Sequence, residues 1–392
     1  MVERENNLDS SGFARRALMV GVVGLALCAL GAVLYRGPML RSYLVAYNLV
    51  LGLSLGCLPM IMLYHLVGGR WGFAIRRILE AATRTLPLMA LLFVPLLFDL
   101  PELYRWATPE ALGDPAIVHK AVYLNVPWFI GRAAIYFVVW ILLAMLLNFW
   151  SRRQDESDDP RTAGWLATLS GPGIVLFGLT ITFAAIDWIM SLSPDWFSTI
   201  FPVIYAVGQI LSGFAFTVGV AMWLAPRPPL DRVLTGLVMR DLGNLLLAFV
   251  MLWAYMSFSQ FLLIWCGNLP EEIQWYLPRF NGGWQIIAMA LVGLQFALPF
   301  VLLLSRDIKQ NPRTMFRVAV LILGMRLVEL FWQVVPNFDP GDLSGHALEI
   351  VGTLVAVAGI GGVWMAAFVW QLQKMPLLPV HPIPPDGEAH HE

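Results

Sequence analysis

Residues 242–265 read LGNLLLAFVMLWAYMSFSQFLLIW, an apolar run long enough to cross a bilayer as an α-helix. Its second half nevertheless carries Tyr255, Ser257, Ser259 and Gln260. Polar side chains are costly in hydrocarbon, so a membrane helix that keeps several of them usually buries them against other helices or a wet cavity. The stretch therefore predicts a helix bundle with a polar interior rather than a simple anchor.

The composition of the whole chain favours the same class. Of 392 residues, 58% are hydrophobic and only 13% are charged, whereas a soluble domain has about 25% charged residues. Apolar runs of about 20 residues alternate with short polar loops, as expected for helices that cross a ~30 Å hydrocarbon core. We therefore predict an all-α integral membrane protein. Ten spans are expected near residues 16–35, 42–67, 75–98, 126–149, 166–190, 198–224, 240–265, 281–304, 314–335 and 346–371.

Lysine and arginine are distributed unequally between the two sides of these spans. Of 25 basic residues, 17 fall on the side of the N-terminus, 5 on the opposite side and 3 inside spans. The positive-inside rule then predicts that both termini are cytoplasmic. The chain divides into a cytoplasmic segment 1–15, which lacks the pattern of a signal peptide, a membrane domain 16–372 and a proline-rich cytoplasmic tail 373–392.

Three predicted spans contain ionisable residues at helical spacing. The pairs are Glu80 with Arg84, Arg326 with Glu329, and His346 with Glu349. Ionisable residues within spans normally face the interior of the bundle and pair there. They are either ion pairs that clamp helices together or parts of two proton half-paths. The inner half-path would contain His65, Glu80, Arg84 and Asn244; the outer one would contain Asp187, Tyr255, Ser259, Gln260, Glu329 with its partner Arg326, His346 and Glu349.

Two segments resemble a known family. Residues 184–201 read AAIDWIMSLSPDWFSTIF, and residues 249–275 read FVMLWAYMSFSQFLLIWCGNLPEEIQW. Together they resemble the NrfD/polysulfide-reductase-like membrane subunits of bacterial alternative complex III, a quinol:cytochrome c oxidoreductase. The length and ten spans are most similar to the smaller of two such subunits (the ActF type). The motif positions carried over are Asp187, Trp188, Tyr255, Ser259, Gln260, Glu271 and Glu272.

The resemblance implies two four-helix bundles, spans 2–5 and 6–9, flanked by the first and last helices. It implies a multi-pass subunit of the bacterial inner membrane that supports proton translocation and binds no redox metal itself. The implied partners are multihaem cytochrome c and iron–sulfur subunits, which hold the haems and clusters, a larger sister subunit, and lipids. A quinone is associated with this family. The family's quinol-site pattern, a transmembrane histidine with an acidic partner, has no counterpart in spans 3–5.

Other interpretations stay open at this point. Ten spans with buried charges also suit an ion-coupled secondary transporter or a purely structural scaffold subunit. The motif at 187–201 also suits a tight outer turn, since Ser193-Pro194-Asp195 is typical turn chemistry and Ser198 can cap the sixth helix. In that interpretation Trp188 and Trp196 are anchors at the membrane interface.

We predict that the isolated chain binds no haem. Cys28, Cys57 and Cys266 lie far apart and form no C-x-x-C pattern, and the first two are expected to be buried apolar groups. His65 and His346 fall near opposite membrane faces, more than about 20 Å apart at ~1.5 Å per residue, so they cannot ligate one iron. The reduced-minus-oxidised spectrum of the purified chain checks this, and a b-type cytochrome band would contradict it.

Overall fold

The computed structural model describes residues 11–157, 161–339 and 341–380. Within these residues the fold is all-α, and ten helical segments are long and apolar enough to cross a membrane, which confirms the predicted fold class. We call them spans 1 to 10. Their bounds are Ser11–Leu34, Arg36–Val67, Arg70–Leu97, Val126–Glu156, Arg161–Leu192, Phe201–Leu224, Gly236–Gly267, Trp284–Leu304, Pro312–Asn337 and Leu343–Gln373.

Several helices extend beyond the predicted apolar runs. Span 4 was expected to end at 149 but continues to Glu156, and span 5 begins at Arg161 rather than at 166. Arginine, glutamine and glutamate, which occur in the last turns of span 4, are good helix formers in water, so hydropathy marks the membrane-crossing part and not the end of the helix. The expected N-terminal segment 1–15 overlaps span 1, which begins at Ser11, and residues 1–10 and 381–392 of the two terminal segments lie outside the described residues.

Spans 2 and 6 lie at the centre of the molecule and are buried over most of their length. They contact each other where span 2 is interrupted at Gly56, between helices Arg36–Leu55 and Cys57–Val67. A Cβ atom on Gly213 of span 6 would lie 2.7 Å from the carbonyl carbon of Gly56. Glycine is therefore required for this close approach of two backbones.

The remaining helices surround this central pair. Spans 2, 3, 4 and 5 contact one another in order, with span 5 returning to span 2, and spans 6, 7, 8 and 9 do the same around span 6. Span 10 packs along spans 1 and 2. These contacts are compatible with two four-helix bundles, an arrangement that stays a prediction.

As expected, Cys28 and Cys57 are buried among apolar side chains.

Spans 1 and 10 meet through glycines, so we predict that Gly359→Ala destabilises the protein. A Cβ atom at Gly359 would lie 2.8 Å from the backbone nitrogen of Leu25, and one at Gly24 would lie 2.5 Å from the Cα atom of Gly359. Overpacking of this kind costs about 1–3 kcal/mol. Thermal unfolding in detergent measures the loss. Gly324→Ala in span 9 is the matched control, because a Cβ atom there meets nothing within 4 Å, and equal effects of both changes would contradict the prediction.

Candidate functional site

The ionisable side chains singled out within the spans face the interior of the protein. Glu80, Arg326, Glu329 and Glu349 are all at most 5% exposed, which confirms the prediction that they point away from lipid. The structure places them in separate clusters, each with its own cationic partner.

The central cluster is built around Glu329 in span 9. One carboxylate oxygen accepts hydrogen bonds from Trp253 Nε1 at 2.9 Å and from Gln333 Nε2 at 2.9 Å. The other accepts from Gln295 Nε2 at 2.5 Å and is paired with the Arg326 guanidinium one turn away. Spans 7, 8 and 9 thus each supply a donor to one buried carboxylate, and a single guanidinium compensates its charge.

Arg326 fits into the bundle because span 6 carries a glycine at the point of contact. A Cβ atom on Gly208 would lie 2.5 Å from the guanidinium carbon. The Nε atom donates to Ser212 Oγ at 3.2 Å, while Nη2 is buried without a hydrogen-bond partner. Only part of the hydrogen-bonding capacity of the guanidinium is therefore used, and its position depends on Gly208 and Ser212.

Gln295 was not predicted as a site residue, although a glutamine in an apolar span is an unusual signal. It is fully buried and lies on a π-helical segment, Leu291–Ala297, within span 8. Short π-helical segments inside α-helices occur frequently at functional sites, because the wider turn changes which side chains face inward. Here the segment coincides with the residue that reaches Glu329.

A cavity of about 520 Å³ lies beside the central cluster, between spans 6 to 9 and the loop that precedes span 8. We call it the aromatic cavity, because seven of the 17 residues that line it are aromatic. Three buried polar atoms of its lining have no hydrogen-bond partner: Ser257 Oγ, Trp332 Nε1 and Gln333 Oε1. Such groups normally bind water or a ligand. The lining residues are Phe201, Ile204, Trp253, Ser257, Gln260, Phe261, Trp275, Tyr276, Phe280, Ala288, Met289, Leu291, Val292, Gly293, Glu329, Trp332 and Gln333.

The polar residues of span 7 divide between two faces of the helix. Trp253, Ser257 and Gln260 line the aromatic cavity at helical spacing. Gln260 donates to the Tyr276 hydroxyl at 3.3 Å and is buried. Tyr255, by contrast, is 64% exposed on the outward face, and neither it nor Ser259 lines the cavity.

A second cluster joins spans 4 and 5. Arg132 donates two hydrogen bonds of 2.9 Å to the carboxylate of Asp187, and Tyr136 donates a third of 2.7 Å. The guanidinium also lies over the Tyr123 ring, 3.8 Å from its centroid. The sequence analysis placed Asp187 in the outer half-path but named no partner for it. Their bidentate geometry is that of a strong ion pair.

The motif around Asp187 continues into buried aromatic packing. Trp188 is fully buried, and Trp196 stacks on Trp275 with ring centroids 5.1 Å apart. The interpretation of Trp188 and Trp196 as interface anchors was therefore wrong, because these rings fill space between helices and loops. Glu272 contributes a backbone carbonyl, which accepts from Trp196 Nε1 at 3.0 Å, and Glu271 is exposed.

The turn that follows was predicted more accurately. Residues Met190–Leu192 form a short helical turn, and Ser193-Pro194-Asp195 follows it. The Ser198 hydroxyl accepts from the backbone N–H groups of Ile200 at 3.3 Å and Phe201 at 3.2 Å. The Ser198 hydroxyl therefore satisfies the first N–H group of span 6, as a cap would, although the N-cap residue itself is Ile200.

The inner cluster surrounds Glu80 in span 3. Arg76 Nε donates to this carboxylate at 2.9 Å and Arg77 Nη1 at 2.6 Å, and Ser151 Oγ also contacts it. Arg77 reaches Asp155 as well. Both arginines are among the 17 basic residues counted on the side of the N-terminus, and they are 0% and 2% exposed. The helix Arg70–Thr83 turns them toward Glu80.

The other predicted members of the inner half-path are Arg84, His65 and Asn244, and each has different surroundings. Arg84 Nη2 is 3.9 Å from the carboxylate, and its Nε donates instead to Asn148 Oδ1 at 2.7 Å. Both ring nitrogens of His65 are buried without hydrogen-bond partners. Asn244 is exposed and accepts a hydrogen bond from Lys309 Nζ at 2.7 Å.

His346 and Glu349 form a fourth, looser group. The His346 Nδ1 atom is 3.7 Å from Glu349 Oε2, and Arg41 Nη1 is 3.5 Å from Glu349 Oε1. His65 belongs to a different part of the molecule, beside Tyr64. Among the residues that the structure describes, no group of three or more His, Cys, Asp or Glu side chains is arranged to hold a metal ion.

Arg279 lies in the loop between spans 7 and 8, is 1% exposed and contacts residues that line the aromatic cavity. Its guanidinium lies 3.6 Å from the Trp275 ring centroid and donates to the carbonyl of Gln333 at 2.9 Å and to Asn337 Oδ1 at 3.0 Å. Burial lowers the pKa of Arg279 below its ordinary value, yet a guanidinium stays charged at neutral pH. A permanent positive charge therefore lies close to the central cluster.

The fold and these clusters define a polytopic helical membrane protein with ion pairs and a cavity inside the bundle. No family model matches the chain, and no curated protein matches it.

We predict that Gly208→Ala displaces Arg326 from the central cluster and lowers stability. The added methyl group would overlap the guanidinium, and overpacking costs about 1–3 kcal/mol. Thermal unfolding of the purified protein measures this. Gly219→Ala in the same span is the control, because a Cβ atom there would lie 3.6 Å from Ala319 Cβ, an ordinary contact. A Gly208→Ala protein as stable as the control would contradict the assigned position of Arg326.

Proposed function

We propose that this protein is an integral membrane subunit of a respiratory quinol:electron-acceptor oxidoreductase, with cytochrome c as the acceptor, and that it transfers protons through the central cluster. The observation that carries the proposal is the buried carboxylate of Glu329 at the edge of the aromatic cavity. An ionisable residue deep in a membrane bundle is by default a candidate for a proton or ion pathway.

Glu329 has the partners that a proton relay needs. Three neutral donors and one guanidinium stabilise the charged form, and the unpartnered polar atoms of the aromatic cavity can hold water beside it. A carboxylate in this setting accepts a proton when its arginine moves away, and releases it when the ion pair forms again. In this mechanism Arg326 controls the charge on Glu329.

Glu80 is held differently. Two arginines and a serine contact its carboxylate, and a third arginine lies 3.9 Å away. Neutralising Glu80 would leave the guanidinium groups of Arg76 and Arg84 without a paired carboxylate. Neutralising Glu329 would leave only that of Arg326 unpaired, so the cost is greater at Glu80. We therefore assign proton exchange to Glu329 and a mainly stabilising role to Glu80 in the inner half-path.

The resemblance in residues 184–201 and 249–275 supports the respiratory assignment. In this proposal the haems and iron–sulfur clusters belong to partner subunits: a multihaem cytochrome c, an iron–sulfur protein and a larger sister subunit. The assembly lies in the bacterial inner membrane with both termini in the cytoplasm. The aromatic cavity has the size and lining that suit a quinone ring, so a quinone associated with this chain would bind there.

Glu329→Gln tests the proposal in the assembly reconstituted in liposomes. Loss of the ionisable group should slow proton transfer by about 10²-fold or more, so that proton release per electron falls while electron transfer from quinol continues. Simultaneous recording of acceptor reduction and outside pH measures both. Glu271→Gln, in the exposed outer loop, should leave the ratio unchanged.

Two results would contradict this function. If Glu329→Gln keeps the proton-to-electron ratio, the central cluster is structural and the chain is a scaffold. If the tagged chain elutes from a mild-detergent column without haem or iron–sulfur proteins, the subunit assignment fails and an ion-coupled transporter is favoured.

A further inference from the structure

Three cationic side chains line one groove between the middle of span 3, the last turns of span 4 and the end of span 10. They are Arg84, Arg152 and Lys374, and the groove between them has a volume of about 380 Å³. The other lining residues are Thr83, Pro87, Ile141, Ala144, Met145, Asn148, Phe149 and Gln371. No acidic side chain is among the residues that line it, so the groove carries a concentrated positive charge. We call it the basic groove.

Arg84 forms the deep end of the basic groove. Its side chain is only 9% exposed, and its Nε atom is fixed by the hydrogen bond to Asn148 Oδ1. Its Nη2 atom lies 3.9 Å from Glu80 Oε2, beyond hydrogen-bond distance, and is buried with no hydrogen-bond partner. The nearest carboxylate, Glu80, is already bonded to Arg76 and Arg77. A buried guanidinium nitrogen without an acceptor is costly, and an oxyanion in the groove would satisfy it.

Arg152 and Lys374 form the open end. Both are exposed, and Lys374 Nζ lies 2.9 Å from the centroid of the Trp370 ring. Desolvation and then the positive charges of Arg152 and Arg84 lower the pKa of Lys374. The three cations are therefore close enough to repel one another, and an anion between them would relieve the repulsion.

The remaining wall of the basic groove is apolar and continues onto the surface of span 4. Met145 and Phe149 are 61% and 51% exposed there. Because span 4 crosses the membrane, these side chains contact lipid chains. The groove thus joins a cationic end to a hydrocarbon-facing wall, a combination that a soluble anion does not need.

We propose that the basic groove binds the headgroup of an anionic phospholipid, with its phosphate among Arg84, Arg152 and Lys374 and an acyl chain along Met145 and Phe149. Guanidinium groups bind phosphate oxygens through paired hydrogen bonds. Basic pockets between membrane helices at the cytoplasmic side are known to hold anionic lipids. This site is separate from the central cluster and does not depend on the proposed function.

The full chain, purified with the subunits that accompany it, tests the site in nanodiscs of phosphatidylcholine that contain spin-labelled lipid. Electron paramagnetic resonance measures the immobilised fraction of labelled phosphatidylglycerol and, separately, of labelled phosphatidylcholine. The wild type should prefer phosphatidylglycerol. Arg152→Gln/Lys374→Gln should reduce that preference by about tenfold, since each basic residue near the surface contributes to lipid attraction. Both side chains are exposed, so folding should be unaffected.

Arg227→Gln/Arg232→Gln is the matched control, because it removes two exposed positive charges from another connection on the same side. It should keep the preference of the wild type. Equal immobilisation of the two lipids by the wild type, or an unchanged preference in Arg152→Gln/Lys374→Gln, would overturn the proposal. Displacement of the labelled lipid by millimolar inorganic phosphate would also overturn it, since the groove would then be a site for a soluble anion.

Discussion

Charge that is buried inside a membrane bundle has to be compensated within the bundle, and this constraint governs the interior of the protein. Glu80, Asp187 and Glu329 are all at most 2% exposed, and each is paired with at least one arginine. Hydrocarbon offers no alternative partner, so the helices must be rotated and spaced to bring these groups together. The packing of the helices and the pairing of the buried charges therefore depend on each other.

Glycines provide the spacing. Gly208 leaves room for the Arg326 guanidinium, and Gly213 lets spans 2 and 6 approach at Gly56. The hydrophobic effect does not drive helices together in lipid, because lipid chains are as apolar as the side chains. Close van der Waals contact and interhelical hydrogen bonds therefore hold the bundle together. A methyl group at these positions would separate the helices and, at Gly208, also the ion pair.

Asp187, Glu80 and Glu329 differ in how readily their carboxylates could change protonation state. Asp187 is bound by a bidentate arginine, and Glu80 is surrounded by arginines. Glu329 has one arginine, three neutral donors and a cavity beside it with unpartnered polar atoms. We therefore place the proposed proton exchange at Glu329 because of the groups that surround it, and not because of its position along the span.

Sequence by itself determined the fold class, the ten spans and the inward orientation of their charges, because the cost of polar groups in hydrocarbon is a local property of each helix. Tertiary structure decided which groups meet. It paired Arg132 with Asp187, brought Arg76 and Arg77 to Glu80, added Gln295 to the central cluster and buried Arg279, Trp188 and Trp196. It also left Tyr255 exposed on span 7. These outcomes depend on how each helix is rotated and shifted against its neighbours, and the hydropathy of one span does not show which side chains of another span it meets.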